Sequence, residues 1–221
     1  MATLPSPGFF RSSIGKKVVM AASGAVLFGF VLGHLAGNLQ VYLGPAAINA
    51  YALKLRHFPA LLWAARLGLL VAVVLHIASA WSLSRTSQAA RPVGYRERES
   101  RESTYASRTM RWGGVIVLLF IVYHLMHFTF GNAHPSFIPG DVYHNMVAGF
   151  RNVAVSGFYI AAMVALGLHL YHGVWSMMQT LGLSHPRHDH LRHAFATLVA
   201  VVVVAGNISF PLAVLTGLLH E

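Results

Sequence analysis

Five apolar segments, each long enough to cross a bilayer, dominate this chain and constrain what it can fold into. About 20 apolar residues span the ~30 Å hydrocarbon core of a membrane. Backbone polar groups find no water there and must be satisfied within the segment, so each run is predicted to be helical. The runs cover residues 17–35, 58–83, 112–130, 153–178 and 194–219. The last holds the β-branched stretch Val199–Val204, which in water would favour a strand; its length and setting favour a helix. The expected fold class is an all-α membrane protein with five transmembrane helices in a single domain, residues 1–221.

Composition supports a lipid setting, because 56% of residues are hydrophobic and 10% charged, whereas a soluble domain is about a quarter charged. The net charge of +10 would suit nucleic acid. Most basic residues lie between the apolar runs, however, and no nucleic-acid partner is expected. Twelve of the sixteen Lys and Arg fall on one side of the predicted topology, and only Lys54, Arg56, Arg66 and Arg151 on the other. Positive charge is retained in the cytoplasm, which predicts a cytoplasmic N-terminus and an outside C-terminus. The segment Met1–Gly15 has no secretory pattern, and the run after it exceeds a signal core in length, so it reads as a retained helix. Between the second and third runs, Arg96, Glu97, Arg98, Glu99, Arg101 and Glu102 interleave opposite charges. That stretch suits either a solvated loop or a docking surface for a soluble partner.

Four of the five runs carry a histidine at membrane depth: His34, His76, His124 and His169. Ionisable side chains within hydrocarbon are costly and by default mark a cofactor, an ion path or a substrate site. Helices alternate in direction, so position converts to depth at ~1.5 Å per residue. His34 and His124 fall in the outer half, His124 roughly 20 Å from the helix start at Arg111. His76 and His169 lie about 14 and 15 Å from the cytoplasmic edge. Two histidines at matched depth on different helices can clamp an iron porphyrin from both faces. Filling both axial positions favours electron transfer over oxygen activation. Four of the helices are thus expected to form a haem-binding bundle holding two haem b groups. The chain has no cysteine, which excludes disulfides, iron–sulfur clusters and thiolate-bound haem. Ala21 to Ala25 and Gly167 are candidates to make room for the macrocycle.

Metal transport is the competing reading, but it usually wants carboxylates near the histidines, and no Asp or Glu lies within the five runs. Spacing leaves the ligand set open. His127 follows His124 by three residues and His172 follows His169 by three, so each pair is expected to share a helical face. His34 to His76 and His127 to His169 are both 42 residues apart. The extra histidines could bond a propionate, line a quinone pocket or simply pack.

The first run reads Ser13, Lys17, Met20-Ala21 and Ser23-Gly24, then Gly33-His34-Leu35-Ala36-Gly37-Asn38. The third reads Gly114-Val115-Ile116, Leu118, Phe120 and His124; the fourth Gly157-Phe158-Tyr159-Ile160, His169, Gly173 and Trp175-Ser176. In these residues, from Ser12 to about Gly182, the chain resembles the membrane anchor cytochrome b subunit of succinate dehydrogenase and fumarate reductase. The similarity is to the single-chain, five-helix, dihaem type acting on menaquinone. The resemblance implies that His34 pairs with His124 for an outer haem and His76 with His169 for an inner one. It also implies a flavoprotein subunit that oxidises succinate, an iron–sulfur subunit that passes electrons on, and quinone as the acceptor. Lys17 and Arg111 lie where inner-haem propionates would need cations. Asn38, Gln40, His57, His127 and His144 are quinone-site candidates. Some fumarate reductases of this type carry a glutamate two residues before the fourth-run histidine; here that place is Gly167, and no membrane acid replaces it. The alternative function is a dihaem cytochrome b subunit of a hydrogenase, formate dehydrogenase or nitrate reductase.

Overall fold

A computed structural model describes residues 8–90 and 105–221. The helices are α1 (Ser13–Asn38), α2 (Pro45–Arg56), α3 (Pro59–Ala89), α4 (Tyr105–His124), α5 (Val142–Phe150), α6 (Val153–Thr180) and α7 (Asp189–Leu215). The described residues contain no strand. Five of the helices, α1, α3, α4, α6 and α7, are long and apolar enough to cross a membrane. Residues 91–104, which hold most of the interleaved charges between the second and third runs, lie outside the described residues.

Local chemistry places the helix starts. Ser12 caps α1, its side chain accepting from the Gly15 N–H at 3.0 Å. Asn152 caps α6 by accepting from the N–H groups of Ala154 and Val155. Pro45 and Pro59 stand in the first turns of α2 and α3, where a missing N–H costs nothing. Gly44 and Gly140 take φ of +94° and +98°, which glycine adopts without a Cβ clash, and turn the chain into α2 and towards α5. The valines of 199–204 are helical, because in a spanning segment backbone satisfaction outweighs β-propensity.

Helix α1 packs along α3, α4 along α6, and α6 along α7, while α1 also reaches α6 and α7. The face from which α1 starts is here the entry face. The opposite one, closed by the short helices α2 and α5, is the cap face. These two helices occupy connections that apolar periodicity alone left as loops. The principal core lies towards the cap face and joins Leu35, Val41, Ile48, Val147, Phe150, Tyr159, Val203 and Phe210. Asn49 fastens the cap, donating to Asp141 at 2.9 Å and accepting from the N–H groups of Val142 and Tyr143. Away from this core the apolar side chains face outward: Leu61 is 68% and Leu70 60% exposed on α3. Such a surface suits lipid and not water.

Candidate cofactor site

Two pairs of imidazoles meet between helices, one above the other. Towards the cap face, α1 and α4 bring the rings of His34 and His124 to 5.8 Å between centroids, with planes crossed at 89°. Towards the entry face, α3 and α6 bring His76 and His169 to 6.2 Å, crossed at 60°. With metal–nitrogen bonds of about 2 Å, two imidazoles on opposite sides of one metal have centroids roughly 6 Å apart. Both pairs match that separation. His124 touches Tyr159, ten residues before His169 on α6, which separates the tiers by about 15 Å along that helix. Among the described residues no group of three or more His, Asp or Glu gathers to hold a metal ion. Two donors per tier suit an iron that arrives with four ligands of its own.

Next to the entry-side pair, Nδ1 of His76 lies 3.1 Å from the Met20 carbonyl, and Oγ of Ser23 lies 3.4 Å from the same nitrogen. Gly24 lets the helices close here: a Cβ on it would come within 3.2 Å of the His76 ring. Gly167 serves differently from the sequence expectation. A Cβ there would lie 2.3 Å from Cγ2 of Val204, so the glycine seats α6 against α7 instead of making room at the histidines.

The neighbouring histidines part company with the paired ones. After His124 the chain widens into a π turn, Leu125–Thr129, closed by the Phe130 N–H to the Leu125 carbonyl at 2.8 Å. His127 lies in that turn, is fully buried, and reaches the same Tyr159 hydroxyl that His124 meets. Its Nδ1 is 3.0 Å from the Tyr159 hydroxyl, and its ring stacks on His134 at 4.9 Å. His172 turns to Trp175, ring centroids 5.0 Å apart, and Trp175 in turn meets His193 and Arg192 from α7. Neither His127 nor His172 belongs to a ring pair between opposing bundle helices at bis-imidazole spacing.

Lys17 lines a cleft of about 330 Å³ at the entry face with Met20, Ser176, Gln179 and Thr180. A second cleft, of about 190 Å³, runs from Thr109 to Ile116 on α4 and reaches His169. Arg111 is exposed between Met110 and Trp112 of its rim. The quinone candidates gather at the cap face without converging. Asn38 and Gln40 are half-buried, His57 is exposed, and His144 donates to the Ser136 carbonyl at 2.9 Å. Tyr159, His134, Asn145, Asn49 and Asp141 were missed as site residues. The pair Gly140-Asp141 is a readable helix-start signal, whereas Tyr159 looks like any core aromatic until its hydroxyl is seen between two histidines.

A family model described as succinate dehydrogenase/fumarate reductase transmembrane subunit matches residues 89–207, more than half of the chain. The chain belongs to this family. No curated protein and no solved structure matched it. The matched span holds His124 and His169, while His34 and His76 precede it and meet their partners only through the fold. The family and the five long apolar helices together describe a multi-pass membrane subunit.

Proposed function

We propose that the chain is the dihaem cytochrome b anchor of a bacterial succinate:quinone oxidoreductase. Electrons would pass from an iron–sulfur subunit, itself fed by a flavoprotein, through two b haems to quinone, with menaquinone the expected species. The observation that carries this reading is the pair of crossed imidazoles in each of two tiers, at bis-axial spacing. His34 and His124 would hold the outer haem, His76 and His169 the inner. Haem, when bound, would supply a one-electron centre, and two histidines holding it would suit electron transfer over oxygen activation.

The residues around each pair have separate tasks. The Met20 carbonyl accepts from Nδ1–H of His76 and so leaves Nε2 free to face iron. Lys17, in the entry-face cleft beside Met20, is placed to neutralise an inner-haem propionate, with Ser176 and Thr180 as hydroxyl partners. Arg111 and His172 are weaker candidates for the same duty. The basic excess on the entry face would put that face, and the N-terminus, in the cytoplasm, where the soluble subunits would dock.

The test is purification of the complex from membranes through a tag on this chain. The expected result is two haem b per chain by pyridine haemochrome, flavin and iron–sulfur subunits in the same fractions, and succinate-dependent quinone reduction. One haem or none per chain would overturn the dihaem assignment. Haem without a flavin subunit would point to a different electron donor, such as a hydrogenase or formate dehydrogenase.

A further inference from the structure

We infer that Tyr159 is the positioning residue of the outer haem: its hydroxyl holds the His124 imidazole and sets that haem's potential apart from the inner one's. The inference rests on the two-haem reading above. Tyr159 is only 5% exposed, and its ring is clamped edge-on by Phe120 at 5.1 Å and Phe150 at 5.0 Å. Its oxygen sits 3.4 Å from Nδ1 of His124 and 3.0 Å from Nδ1 of His127.

Proton bookkeeping gives this bridge a direction. An imidazole that offers Nε2 to iron keeps its hydrogen on Nδ1, so His124 donates and the tyrosine oxygen accepts. Tyr159 has a single hydrogen, which goes on to Nδ1 of His127. The proton of His127 then resides on Nε2, which is buried beside Gly149 without a hydrogen-bond partner. His127 is steadied in turn by its stack on His134, with planes 28° apart. His134 is locked at both nitrogens: Nδ1 accepts from the Ser136 N–H at 3.0 Å, and Nε2 donates to the Asn145 carbonyl at 2.8 Å. A line of oriented groups thus runs from the cap loop to one axial ligand.

The inner pair has no such line. His76 meets a backbone carbonyl that its own helix geometry holds, and Nδ1 of His169 is buried without a partner. A hydroxyl that donates onward is polarised and becomes a better acceptor. A better acceptor on Nδ1–H makes the ligand more basic, which favours ferric iron and lowers the potential.

The test uses the assembled complex carrying Tyr159→Phe, which keeps the ring and removes the oxygen. Redox titration should show the outer haem's midpoint potential raised and its low-temperature electron spin resonance signal shifted, with the inner haem at its wild-type values. The outer haem is identified as the one lost in His34→Ala. Should Tyr159→Phe lose the outer haem altogether, 3-fluorotyrosine at position 159 replaces it, and its poorer acceptor oxygen should give a smaller shift of the same sign. An outer potential that stays at the wild-type value, or an equal shift at both haems, overturns the inference and leaves the dihaem reading standing. Absence of two haems from the wild-type complex would instead sink the reading itself.

Discussion

Each paired histidine is a side chain that lipid would reject, a cost that a bound haem, as proposed, would offset. Removing one member of a pair leaves iron with a single protein ligand. His76→Ala or His169→Ala is therefore expected to lose the inner haem, and His34→Ala or His124→Ala the outer one, halving the haem content per chain. His127→Ala and His172→Ala should retain both, because these rings lie outside the two pairs. Pyridine haemochrome against protein concentration checks all six; two haems in His124→Ala would refute the outer assignment. The crossing angles carry a second expectation. Imidazoles crossed at right angles raise two iron d orbitals equally and leave them nearly degenerate, which enlarges magnetic anisotropy. The outer pair crosses at 89° and the inner at 60°, so the outer haem should show the larger maximum g value in a frozen oxidised sample.

At the scale of helices, the contact of α6 with α7 depends on a missing side chain. Gly167→Leu drives carbon into Val204 and should cost about 1–3 kcal/mol, the usual penalty of overpacking. Val204→Ala in that background should recover part of the loss, since adjacent residues couple. Thermal release of haem from the detergent-solubilised complex reads both; a Gly167→Leu complex as stable as wild type would show that the contact is not tight. The short helix α5 depends on Asp141, whose carboxylate accepts from the His144 N–H at 3.0 Å. That N–H, with the Asn49 amide second, holds the Asp141 carboxyl below its ordinary value of 3.8. A depressed folded-state value means stabilisation that is complete above the unfolded one and lost as pH falls through the folded one. Hydrogen exchange in α5, corrected for the intrinsic rate at each pH, should accordingly lose protection in acid below about pH 4. Asp141→Ala should quicken it at neutral pH too, by the roughly 0.5–2 kcal/mol of an N-cap.

For the whole molecule, the unequal distribution of Lys and Arg predicts an orientation that labelling can test. The chain contains no cysteine, so one introduced thiol reports one position. In sealed cells an impermeant maleimide should label Ala46→Cys on the cap face and spare Ala90→Cys at the entry face until the membrane is opened. The reverse pattern would invert the molecule and place the soluble partners on the wrong side. Element type, the five spans and the membrane histidines were legible from sequence because hydrocarbon permits few solutions: long apolar runs must be helices, and polar rings within them need a reason. The choice of His124 over His127 as the ring facing His34 was not legible from spacing, because both rings reach Tyr159 from one helix and only packing shows which meets His34. Nor was the use of Gly167, the capping helices α2 and α5, or the hydroxyl of Tyr159 between two imidazoles. Sequence periodicity determines which face of a helix is apolar. Only the packing of the helices against one another decides which atoms on those faces come within hydrogen-bond reach.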